Sequence, residues 1–266
     1  MARVGALLPL AAGVLAAALA VLGAQAAACP APSPTLVWHS CWGEARFALH
    51  LLPEDLPLPD PAPGEERVTV TGAYTARESR EGGRPDPVGL FVRRGELIGR
   101  HLARMDGILI IEPDGRTARL AHRGAVPLGG AMHDLTGFEA RARFLREAVA
   151  SGVSLMQSHL LVVDGHSDVA EVENAPAYIR RLIVEDAAGI GLWQSRWPLT
   201  LHEAARAVVA ELAPRMAMNL DMGSFDYCLR EPPGAAPASC GVVAPGGAEM
   251  SKLSNLVSFA VVRAPL

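Results

Sequence analysis

Gly107-Ile108-Leu109-Ile110-Ile111-Glu112-Pro113-Asp114-Gly115-Arg116-Thr117-Ala118-Arg119-Leu120 reads as two short strands around a turn. Gly107 to Ile111 is apolar, Pro113-Asp114-Gly115 breaks the run, and Arg116 to Leu120 returns as a hairpin partner. The same grammar recurs on both sides. Leu160 to Val163 runs into Asp164-Gly165, and Val88 to Val92 into Arg94-Gly95. Asp164-Gly165-His166-Ser167-Asp168 lacks the glycine and distal glutamate of a calcium loop and reads as a plain turn. Arg67 to Thr71 alternates, and Arg181 to Val184, Gly189 to Trp193, Arg215 to Leu220 and Leu256 to Val262 are further strands. Residues 75–87 are polar and read as a loop.

Two helices have start signals. Thr136-Gly137-Phe138-Glu139 is a capping box followed by Phe138, Ala142, Leu145 and Val149 on one face, with Gly152 as the stop. Thr200-Leu201-His202-Glu203 is a second, with Leu201, Ala204, Ala205, Val208 and Leu212 as its stripe and Pro214 beyond. Strands outnumber helices and many are hairpin-linked. The predicted class is α+β, a mixed, largely antiparallel sheet with a few flanking helices.

The first residues predict export. Arg3 supplies a small basic region, Ala6 to Leu22 is almost wholly Ala, Val and Leu, and Ala24-Gln25-Ala26 offers a small-x-small cleavage pattern. The run is Ala-rich and interrupted by Pro9 and Gly13, so no retained transmembrane helix is expected. Cys29 after three alanines leaves a lipoprotein as the lesser option to a periplasmic or secreted protein. The expected organisation is a signal peptide at 1–28, a Pro-rich segment at 29–66 and one domain at 67–266. Of 266 residues, about 240 remain after cleavage, ample for a large core. A formal charge of −4 provides no basic field for nucleic acid. Lys252 is the only lysine, an arginine bias that fits a GC-rich bacterial genome.

Cys29, Cys41, Cys228 and Cys240 fit an oxidising compartment. Four cysteines allow three connectivities. Local pairing, Cys29 with Cys41 and Cys228 with Cys240, is the expected one, each bridge closing a short Pro/Ala-rich loop. No C-x-x-C pair or metal-ligand histidine spacing is present. The sequence requires no cofactor and leaves a divalent metal open. Neither a phosphate-cradling glycine loop nor a G-x-S-x-G elbow occurs.

Asn219-Leu220-Asp221, at the end of a strand and ahead of Gly223-Ser224, is the segment best placed to meet a ligand. Capping of a turn is the other use of Asp221. Gln157-Ser158-His159 precedes an apolar strand. Arg180-Arg181 adjoins another, where guanidinium forks suit phosphate oxygens or provide surface charge.

Several stretches, in order, resemble the phosphodiester glycosidase family. They are Val68-Thr69-Val70-Thr71-Gly72-Ala73-Tyr74, then Pro87-Val88-Gly89-Leu90-Phe91-Val92 with Gly95-Glu96-Leu97, then Gln157 to Gly165. Tyr178 to Gly191, Leu199 to Ala205, Met218-Asn219-Leu220-Asp221 with Gly223-Ser224, and Ser254-Asn255-Leu256-Val257 complete the series. The resemblance implies cleavage, or binding, of a sugar-1-phosphodiester or related envelope glycan. It implies Asp221 as base or stabiliser of oxocarbenium charge and Arg180 or Arg181 on the phosphate. Asn219, Gln157, Ser158 and Asn255 are then positioners, with His159, Ser224, Thr71 and Gly72 completing the substrate-binding set. Three glycine turns depart from the family pattern, at Ala73, His159-Leu160 and Met222. A catalytically inactive glycan-binding or structural envelope protein is the alternative function.

Overall fold

The computed structural model describes residues 27–79 and 85–263. The expected signal sequence lies outside the described residues but for its last two positions. The strands form three main sheets, and every ladder between them is antiparallel. One sheet runs Leu36–His39, Gly189–Gln194, Arg181–Asp186, Met216–Asn219, Leu160–Val163 and His166–Ser167. A second runs Glu96–Gly99, Phe91–Arg93, Ser154–Ser158, Gly107–Ile111 and Ala118–His122. The third runs Ala238–Ser239, Cys228–Glu231, Glu65–Thr71, Asn255–Arg263 and Gly43–Leu51. The α+β, largely antiparallel reading holds, with the strands divided among separate sheets. The turns behave as their residues demand. Asp164 (φ 47°) with Gly165 (φ 81°), and Arg94 (φ 49°) with Gly95 (φ 78°), are left-handed pairs that close two-residue hairpins.

The three sheets share one core. Val70, Leu109, Ile111, Ile183, Met218 and Phe259 all lie in it. Alternate residues of the same strands face outward onto helices. Ile108 and Ile110 meet Phe144, Leu145 and Ala148 of the helix Phe138–Ser151. Leu182 and Val184 meet Ala204, Ala205 and Val208 of the helix Leu201–Leu212. Such strands are covered on both faces, which is why Gly107–Ile111 is a continuous apolar run and not an alternating one.

The second helix has its capping box. Thr200 Oγ1 accepts from the Glu203 N–H at 3.2 Å, and the Glu203 carboxylate accepts from the Thr200 N–H at 2.8 Å. The first does not. Gly137 is its N-cap, while Thr136 donates its hydroxyl to Asp134 at 2.7 Å and its N–H at 2.9 Å. Asp134, two residues upstream, captures the group that the predicted cap needed. The buried stripe is also rotated, to Phe144, Leu145 and Ala148, leaving Phe138 72 % exposed.

Two further segments depart from expectation. Residues 75–87, read as a loop, contain Thr75–Ser79 paired with Pro85–Pro87. The Pro-rich stretch 29–66 is built into the domain. Gly43–Leu51 pairs along its whole length with Asn255–Arg263, and Trp38, Phe47, Leu49 and Leu51 lie in the shared core. Both expected disulfides are present, Cys29–Cys41 and Cys228–Cys240. No helix among the described residues is long and apolar enough to cross a membrane.

Candidate functional site

The end of the Met216–Asn219 strand meets the turn that follows Glu65–Thr71. The Asp221 N–H donates to Gly72 O at 3.0 Å. Gly72 has no room for a side chain, because a Cβ would stand 2.5 Å from Asn255 Oδ1. The Asp221 carboxylate accepts the Thr75 N–H on Oδ2 and the Met222 N–H on Oδ1, each at 3.0 Å. The residue is 5 % exposed. Burial, opposed by the bonds from Thr75 and Met222, pushes its pKa up to about 6. A carboxyl poised there changes charge close to neutral pH.

Asn219 stands beside it, fully buried. Its Nδ2 donates to the Tyr74 phenol oxygen at 2.6 Å and to Leu220 O at 2.8 Å. Its Oδ1 is buried without a hydrogen-bond partner among the described residues. An orphaned amide oxygen is costly unless something donates to it. Burial and the Asp221 charge raise the Tyr74 pKa, while the Asn219 bond and Arg180 oppose them. Tyr74 therefore stays protonated and retains a hydrogen to donate. Its ring packs edge-on against His159, centroids 5.9 Å apart. Burial lowers the His159 pKa, with Asp106 opposing, so the imidazole is held neutral. Arg180 closes this side. Its guanidinium lies 5.1 Å over the Tyr178 ring, and two of its nitrogens donate to Leu199 O and Pro176 O, each at 2.8 Å. A pocket of about 170 Å³ lined in part by Val172, Tyr178, Arg180 and His202 adjoins it. Tyr178 also lies next to Gly223, whose φ of 75° needs glycine. Met222 is in extended backbone at φ −141° and bears no strain.

The other predicted residues brace this arrangement. Gln157 has both amide atoms engaged by the backbone of Leu90, Ala103 and Met105. Asn255 holds both the N–H and the C=O of Ala73, at 2.8 and 2.9 Å. Thr71 Oγ1 donates to Phe225 O and accepts from the Tyr227 N–H. Ser158 donates to Asn219 O. Arg181 is 1 % exposed and is consumed by Asp226, Gln194 and Cys240 O. It pins the disulfide-closed segment instead of facing a ligand. Ser224 is exposed in the turn Gly223–Phe225. Tyr74, two residues after Gly72, carries little signal in the sequence; the long-range contact with Asn219 gives it its role. Cys29, His39 and Cys41 form a cluster of metal-ligand types, but the two sulfurs are bonded to each other.

No family model matches the chain, and no curated protein matches it. Among solved structures it is similar to the catalytic domain of zebrafish N-acetylglucosamine-1-phosphodiester alpha-N-acetylglucosaminidase, described as auto-inhibited by its pro-peptide. That likeness has 13 % identity and a TM-score of 0.46, covering 82 % of this chain and 73 % of that one. A hypothetical protein from Synechocystis is similar at 12 % identity and a TM-score of 0.39, covering 82 % of this chain and 57 % of that one.

Proposed function

We propose that the chain is an exported hydrolase acting on a sugar-1-phosphodiester, with Asp221 as the essential carboxylate. The observation that carries this reading is the buried Asp221 beside the Tyr74 phenol that Asn219 holds. The order of family-like motifs, which bring Gly72, Tyr74, His159, Asn219 and Asp221 into one place, supports it. The two disulfides fit an oxidising compartment.

In this reaction a water oxygen bonds to the anomeric carbon and the carbon–oxygen bond to phosphate breaks. The phosphodiester oxygen leaves with the bonding electrons, and the water's proton passes to the Asp221 carboxylate. The leaving group is already a stable anion, so no second carboxylic acid is needed to protonate it. Arg180 supplies positive charge on the phosphate side. Asn219 orients the Tyr74 phenol, whose hydroxyl donates to a sugar or phosphate oxygen.

A glycan-binding protein without turnover is the second reading, favoured by Met222, whose buried side chain sits next to Asp221 where the family motif has glycine. Incubation with a chromogenic sugar-1-phosphodiester separates the two. Release of the free sugar supports the hydrolase. Saturable binding without release supports the second reading.

A further inference from the structure

We infer that the groove between the helix Phe138–Ser151 and the strand Glu96–Gly99 binds a single-chain amphiphile with an anionic head. The groove has a volume of about 690 Å³, within the range of roughly 300–1,000 Å³ typical of small-molecule sites. Its floor is apolar. Leu97, Phe138 and Val149 contribute to it and are 41 %, 72 % and 38 % exposed. Phe138 and Val149 are the helix side chains left over when Phe144, Leu145 and Ala148 face the sheet, and Leu97 comes from the strand opposite. Contiguous apolar surface of this kind marks a binding face.

Charge selects the occupant. Arg100, Arg141, Arg146 and His101 line the groove, and no carboxylate does. Arg141 is held in place, donating to Leu135 O at 2.9 Å with its guanidinium 5.7 Å from the Phe138 ring centroid. None of the three arginines makes an ion pair among the described residues. Three guanidinium groups without an ion-pair partner among the described residues, lining an apolar trough, match a phosphate or carboxylate head on an alkyl chain. A cationic amphiphile would meet like charge, and a neutral one would leave the rim unpaired. This site is independent of the chemistry at Asp221.

The test is calorimetric titration of the full chain with dodecyl phosphate below its micelle-forming concentration. Binding of one molecule per chain is expected, at least about tenfold tighter than dodecyltrimethylammonium and weaker at high salt. Phe138→Asp and Arg146→Glu, both at exposed positions, should each weaken it by about tenfold or more while circular dichroism stays unchanged. Equal affinity for the two head groups, no binding, or indifference to Phe138→Asp overturns the inference. Binding of inorganic phosphate as tightly as dodecyl phosphate also overturns it. Binding to anionic phosphatidylglycerol vesicles without binding of monomeric dodecyl phosphate would make the face a membrane contact and overturn the single-chain site.

Discussion

The side-chain amide of Asn219 donates to the phenol oxygen of Tyr74 at 2.6 Å, across 145 residues of sequence. With the Asp221 N–H to Gly72 O bond, it locks a turn of one sheet against a strand end of another. Among the described residues, the Asn219 Oδ1 has no hydrogen-bond partner.

Tyr74→Phe tests that pair. The fold should lose about 1 kcal/mol, the net worth of one hydrogen bond. Turnover should fall by about tenfold or more if the phenol touches the substrate. Thermal midpoint and kcat are measured together. A change in midpoint with kcat intact would make Tyr74 a brace only.

Asp221 should make stability pH-dependent. Its pKa is raised from 3.8 to about 6, so the folded state holds the proton more tightly than the unfolded chain. The resulting stabilisation is complete below about pH 4 and is lost as pH rises through about 6. Asp221→Asn should therefore gain on the wild type by about 2 kcal/mol between pH 4 and pH 8. Denaturant unfolding at both pH values measures it. A constant difference would mean that Asp221 is not destabilised by burial.

Arg181 and Asp226 form a buried ion pair with side-chain exposures of 1 % and 7 %. Asp226→Asn leaves the guanidinium charge without its counter-ion and should cost about 3–5 kcal/mol. The double variant Arg181→Met, Asp226→Leu should cost less than that single change. Additive losses would argue against the pairing.

The Cys228–Cys240 bridge ties the strand Cys228–Glu231 to Ala238–Ser239. Changing both cysteines to serine should cost about 2–4 kcal/mol, read as a lower denaturation midpoint. Peptide mapping without reductant should find the bond in the wild type. Free thiols at both positions would contradict it.

Much of the fold was legible in turn chemistry. Asp114-Gly115, Asp164-Gly165 and Arg94-Gly95 marked hairpins that exist, because left-handed backbone is demanded locally and the residues declare it. Thr200 and Glu203 declared a helix start in the same way. Gly43–Leu51 was hidden between proline-rich flanks, although Phe47, Leu49 and Leu51 alternate as a strand should. The failed cap at Thr136 depended on competition from Asp134, which spacing alone does not rank. At the site, Asp221 and Asn219 were readable as polar residues leaving an apolar strand. Gln157, Asn255 and Arg181 looked equally functional in sequence. Their partners are backbone groups and an aspartate distant in the chain, and only tertiary contact reveals that their hydrogen bonds are already made.

The most direct measurement is hydrolysis of a chromogenic sugar-1-phosphodiester by the wild type and by Asp221→Asn between pH 5 and pH 8, with the surface-turn change Asp164→Asn as a control. The account predicts wild-type turnover that falls on the acid side through about pH 6, where Asp221 takes up its proton. It predicts a loss of about 10²–10⁴-fold in Asp221→Asn and an unaltered rate in Asp164→Asn. A wild type inert on the substrate at every pH, or an Asp221→Asn variant that turns over at full rate, would contradict it.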